Sequence, residues 1–203
     1  MALFNFEEVN TDLKVRNTFI MGGSIDEEMF FKVRDFFTYF ESKSDLESGE
    51  YPDIKMKIDS FGGDYSKYGK DICIMLNEYQ GHITGVATAN CSSMAFLILQ
   101  NCDKRIAYEN VRMVPHLTFY TSFHDRLTST VFEKLINRDK KMLKDLKHRL
   151  KTLLKDDKVL SKFLSKKSNL SKKKVLKLLK KDKTITAKKA LKMGFIDEII
   201  PAF

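Results

Sequence analysis

No apolar run in the 203 residues approaches the roughly 20 needed to cross a bilayer as a helix, so no membrane-spanning segment is expected. The first residues carry no basic start followed by an apolar stretch, so no secretory signal is visible. Cysteine is scarce: Cys73, Cys91 and Cys102 are odd in number and sit in apolar surroundings, which predicts free core thiols in a reducing compartment and hence a cytoplasmic location. No Gly-x-x-x-x-Gly-Lys-Ser/Thr loop occurs, which leaves any ATP hydrolysis to another protein. Neither Cys-x-x-Cys nor His-Glu-x-x-His occurs, so no metal and no other cofactor is expected.

Positive charge is short in one part of the chain and abundant in the other. Residues 1–125 hold 12 Lys+Arg against 19 Asp+Glu, a net of −7, while residues 126–203 hold 24 against 8, a net of +16. Lysine dominates over arginine there and aromatics are few, which disfavours base stacking and a nucleic-acid partner. Solvated outer helix faces explain the excess, and attraction to the acidic part of a neighbouring subunit is the functional counterpart.

The apolar spacing predicts alternating strands and helices, a layered α/β arrangement in one domain. Met29, Phe30, Val33, Phe36, Phe37 and Phe40 recur at helical intervals, and Ser24 with Glu27 forms a capping box that would open this helix. Residues 41–53 are polar, with Ser-Gly and a proline, and read as a surface loop. The segment from Ile54 to Asp64 reads as a strand ending in a Gly62-Gly63 turn, followed by a helix over 65–79 with Tyr68, Ile72, Met75, Leu76 and Tyr79 on one face. Short strands are expected at 105–108 and 111–114.

The segment with the most chemistry follows a strand at His82–Ala89. Asn90 to Leu99 reads as an apolar helix whose first turn carries Ser92 and Ser93. A serine there has two readings. It can cap the helix through its hydroxyl, or it can be a nucleophile beside backbone N–H groups that lack intrahelical partners and favour negative charge. Cys91, two residues earlier, reads as a buried neighbour of Ser93 and not as a nucleophile.

Three other segments bear on that choice: Ile54 to Asp64, Asn110-Val111-Arg112-Met113-Val114-Pro115-His116, and Asp182-Lys183-Thr184-Ile185-Thr186-Ala187 running on to Met193-Gly194-Phe195-Ile196-Asp197. In this order the four segments resemble the proteolytic subunit of the Clp protease family over roughly residues 16–200. That family places its nucleophile in an Ala-Ser-Met-Gly-Ala-like helix start, its histidine in Asn-Ser-Arg-Val-Met-Ile-His, and its aspartate ahead of a Leu-Ser-Ala helix ending Tyr-Gly-Leu-Val-Asp. Arg16 to Asp26 is similar to the family's first strand, turn and helix start.

The resemblance implies a crotonase-like ClpP fold with a protruding strand-helix handle at about 117–168, and a serine endopeptidase with Ser93, His116 and Asp182 as its triad. A serine hydroxyl needs a base within reach, and the base needs a carboxylate to hold its tautomer and charge. His82, His124 and His148 lie in polar settings and are expected to have no catalytic part. The N–H groups of Met94 and Gly63 are the expected oxyanion donors, and Gly62-Gly63 would let a substrate strand approach. Implied partners are copies of the same chain in a ring, single or stacked as a pair, unfolded or threaded polypeptides inside it, and a separate ATPase unfoldase.

The sequence departs from the family's pattern at Phe61, usually proline, and at Ala95, usually glycine. Leu117 to Phe123 lacks the Gly-rich start of the handle strand, and a helix is expected from about Leu127 to Leu154, with extra residues in 151–168. The stretch ahead of Arg16 is short, which implies altered coupling to an ATPase. A virus-encoded relative that trims capsid proteins, a catalytically silent ring subunit and a basic assembly protein on nucleic acid are the competing functions.

Overall fold

The computed structural model describes residues 17–44, 48–121, 126–131, 133 and 143–202. The short segment 1–15 and His124 lie outside the described residues. In chain order the elements are β1 (Thr18–Ile25), α1 (Glu27–Glu41), β2 (Ile54–Gly63), α2 (Tyr68–Glu78), β3 (Ile83–Ser92), α3 (Met94–Gln100), β4 (Lys104–Tyr108), β5 (Arg112–Val114), β6 (Phe119–Thr121), β7 (Arg126–Thr128), α4 (Leu143–Lys166), α5 (Lys172–Leu179), β8 (Ile185–Thr186), α6 (Ala187–Met193) and β9 (Glu198–Ile200). Two compact units result: Met1–Val114 with Thr184–Phe203, and Pro115–Lys183.

The first unit is built on a sheet of order β1-β2-β3-β4-β9, parallel throughout, with β5 parallel to β3 and β8 antiparallel to β5. Parallel neighbours need crossover connections, and helices α1, α2 and α3 supply the first three. Strand β2 shows the period-two signature: Ile54, Met56, Ile58, Ser60 and Gly62 are buried while Lys55, Lys57, Asp59, Phe61 and Gly63 are exposed.

Helix α1 buries Met29, Val33, Phe36, Phe37 and Phe40 as its spacing predicts. Phe36 packs on Phe19 at 5.2 Å and on Phe40 at 4.7 Å, and Phe37 meets Tyr79 edge-on at 5.2 Å, so one aromatic cluster joins β1, α1 and the end of α2. Each such ring contributes about 1.5–3 kcal/mol by burial. The far edge of the sheet is braced by Arg105, which makes a two-pronged contact with Asp197 at 2.6 and 3.1 Å and also reaches Gln100 at 3.1 Å.

Two element boundaries differ from expectation. The cap of α1 is Asp26, whose Oδ1 accepts from Met29 N–H at 3.1 Å, and not Ser24. Ser24 and Ile25 are held extended by pairing with Gly62 and Gly63 of β2, so the chain is free to turn only at Asp26. Likewise Asn90, Cys91 and Ser92 belong to β3, not to the helix, because they pair with Arg112, Met113 and Val114 of β5.

The second unit contains an antiparallel β6–β7 pair, with Phe119 opposite Thr128, followed by α4 and α5 packed on each other. The helix expected to start near Leu127 is a strand there, since Arg126–Thr128 pairs with β6. Nor does α4 end near Leu154. Buried Leu153, Asp157, Leu160 and Leu164 continue one stripe to Lys166, so the surplus residues lengthen the helix by adding turns. The Asp157 carboxylate is buried within this unit and accepts from Ser129 Oγ at 2.8 Å and Thr118 Oγ1 at 3.4 Å. Burial pushes its carboxyl above the usual range, and the two hydroxyls offset part of that rise.

Candidate active site

Ser93 is the single residue between the end of β3 and the start of α3. Its backbone lies at φ 55°, ψ −125°, a conformation that L-residues rarely adopt and that costs on the order of 1–3 kcal/mol. Two contacts enforce it. The Ser93 N–H donates to the Val114 carbonyl at 2.9 Å, and Leu97 N–H donates to the Ser93 carbonyl at 3.3 Å, so strand and helix each hold one side of the residue. The strained turn is the geometry that pushes a nucleophilic hydroxyl out of a strand-to-helix junction.

The capping reading does not describe Ser93. It occupies the N-cap position, yet its side chain makes no cap hydrogen bond to the helix. By contrast, Asp26, Ser171 and Thr186 each accept from a first-turn N–H of their helices. Ser92 is buried in β3, whereas Ser93 is half-buried. Cys91 is fully buried, and burial, with Cys102 adding a smaller effect, pushes its thiol up, which removes the thiolate a nucleophile needs.

Glycines of β2 close over this turn. At Gly62, with φ +103°, a Cβ would lie 2.5 Å from Ser93 Cβ, 2.9 Å from the Ser92 carbonyl oxygen and 3.0 Å from the Met94 nitrogen. Only a residue without a side chain fits there. Gly63 is in register with Ile25, and the next N–H, that of Asp64, donates to the Ile25 carbonyl at 2.7 Å. Successive N–H groups of a strand alternate in direction, so the Gly63 N–H points away from β1. The structure therefore sets Gly62 against Ser93 and Met94, whereas a Cβ on Gly63 would meet the backbone of Ile25.

His116 and Asp182 belong to the second unit. His116 lies two residues beyond β5, and its Nδ1 is 2.5 Å from the Leu117 carbonyl oxygen. A carbonyl only accepts, so Nδ1 is the donor in this contact. Asp182 is exposed, with φ 46°, and its N–H donates to the Leu179 carbonyl at 3.2 Å at the end of α5.

A strained serine between a parallel strand and a buried helix, with Gly62 packed against it, thus sits in a layered α/β protein. Residues 128–202 match the family model of the Clp protease. That stretch contains Asp182 but neither Ser93 nor His116. Among solved structures the chain is similar to a point mutant of ClpP1 from Listeria monocytogenes, with a TM-score of 0.75 and 18% identity over 96% of each chain. No curated protein matches the sequence. The chain has the ClpP fold.

Proposed function

We propose that this chain is a serine endopeptidase of the Clp type, with Ser93 as nucleophile, His116 as general base and Asp182 as the carboxylate that stabilises the imidazolium. The Ser93 turn carries the reading: a backbone strained by enforced contacts, holding a hydroxyl that is not spent on capping, has no evident structural use. In the first step Ser93 Oγ attacks a peptide carbonyl while His116 Nε2 takes its proton, and the developing oxyanion is met by the N–H groups of Met94 and Gly63. The same imidazolium then protonates the leaving amine, and water repeats the sequence to release the acyl product.

The assignment of His116 and Asp182 is supported by their places in the chain, His116 just beyond β5 and Asp182 just ahead of β8. Strands β5 and β8 are antiparallel with Arg112 opposite Thr186 and Met113 opposite Ile185. The substrate lies extended beside Gly62-Gly63 as an added strand. A ring of identical chains, with the serines facing an enclosed chamber and an ATPase unfoldase feeding it, restricts cleavage to unfolded polypeptides.

The decisive test joins labelling by a serine-reactive fluorophosphonate, read by peptide mapping, with mass in solution. Labelling at Ser93 in a multimeric species supports the reading. A multimer that labels nowhere makes the chain a catalytically silent ring subunit.

A further inference from the structure

Both ladders that flank the end of β2 are irregular at the same place. Between β1 and β2 the register passes from Gly22–Asp59 to Ser24–Gly62, so Ser60 and Phe61 together oppose Gly23 alone. Between β2 and β3 it passes from Ile58–Ala87 to Ser60–Cys91, so the partner strand also carries surplus residues. A bulge leaves ladder groups without their regular partners and turns the strand. Here those groups are found: the Ser60 hydroxyl donates to the Gly23 carbonyl at 2.6 Å and accepts from the Gly62 N–H at 3.0 Å. Ser60 is 1% exposed, so water cannot substitute for either bond.

We infer that Ser60 is a positioning residue for the oxyanion site, a role resting on the peptidase reading of Ser93. Its hydroxyl replaces the ladder bonds that the bulge removes and locks the backbone of Gly62. Gly62 in turn lies so close to Ser93 and Met94 that a Cβ on it would strike Ser93 Cβ and the Met94 nitrogen, and the peptide unit joining Gly62 to Gly63 carries the Gly63 N–H. Ser60 touches neither substrate nor nucleophile. It sets the direction of one donor, and a donor displaced by about 1 Å loses much of its effect on a developing negative charge.

The test compares Ser60→Ala, Ser60→Cys and Ser60→Thr with the parent on a fluorogenic peptide. Removal of the hydroxyl in the first two lowers kcat by about 10- to 100-fold while KM stays within about twofold, since the oxyanion forms only in the transition state. Affinity for a peptide boronate, whose adduct with the serine is tetrahedral and anionic, falls in parallel with kcat. Ser60→Thr keeps the hydroxyl and recovers most of the rate. Unchanged kcat in folded Ser60→Ala, or a loss confined to KM, overturns the role, as does failure of both hydroxyl-free variants to fold, which makes Ser60 a residue of folding alone. A parent that shows no Ser93-dependent hydrolysis refutes the peptidase reading itself, an outcome distinct from either of these.

Discussion

Replacing Gly62 by alanine tests the closeness of β2 to the Ser93 turn. Two penalties combine. The backbone stands at φ +103°, where a side chain is strained by about 1–3 kcal/mol. The new methyl would also sit 2.5 Å from Ser93 Cβ, where carbon atoms rest at about 3.5–4.0 Å. Forced overpacking of this kind costs about 1–3 kcal/mol. A combined loss near 4 kcal/mol, at about 2–4 °C per kcal/mol for a chain of this size, lowers Tm by roughly 8–16 °C. If the fold instead yields by moving Ser93, the displacement is about 1 Å, and labelling by a fluorophosphonate slows on the order of 100-fold. The control is Gly22→Ala: nothing lies within 4 Å of its added methyl, and it should change stability by no more than about 0.5 kcal/mol. Circular-dichroism melts of both variants at equal protein concentration, with labelling rates, decide the matter. Equal Tm values for the two, with unchanged labelling of Gly62→Ala, would refute the packing argument.

Ser93→Ala should abolish hydrolysis and labelling without the roughly 1 kcal/mol loss of a missing cap, because no cap bond exists to lose; retained turnover would transfer the nucleophile to another serine. Asp182→Asn should lower kcat by about 10⁴-fold with unchanged Tm, as the side chain is exposed; a kcat within twofold of the parent removes it from the triad. Desolvation raises the Asp197 carboxyl, but the hydrogen bonds and charge of Arg105 outweigh it and hold it below its ordinary value of 3.8. Its contribution is thus complete above that value and is lost as pH falls through the depressed one. Arg105→Gln should accordingly narrow the Tm difference between neutral and acid solution, and melts from pH 7 to about pH 2 that fall in parallel for parent and variant would exclude the linkage.

The period-two alternation of β2, the phenylalanine stripe of α1 and the order of the four motifs are all legible in the sequence, because each depends on residues close in the chain. So is Ser93 as the residue of interest, since strand pattern, serine and apolar helix are adjacent in sequence. Long-range pairing decided the rest. Ser24 lost the cap of α1 to Asp26 because β2 holds it in a ladder, and Asn90 to Ser92 became strand because β5 pairs with them. The length of α4 was missed because its buried stripe includes Asp157, a carboxylate whose place in a core depends on Ser129, 28 residues away.

Gly62, not Gly63, lies against the serine, and Ser60 supports that contact; neither follows from the Gly-Gly pair alone. Local periodicity and residue chemistry by themselves determined most of the elements of the sheet unit and which side chains are candidates for chemistry. The bulges, the strained φ of Ser93 and the direction of the Gly63 N–H arise where strands distant in sequence compete for the same backbone hydrogen bonds, and only the tertiary structure settles that competition.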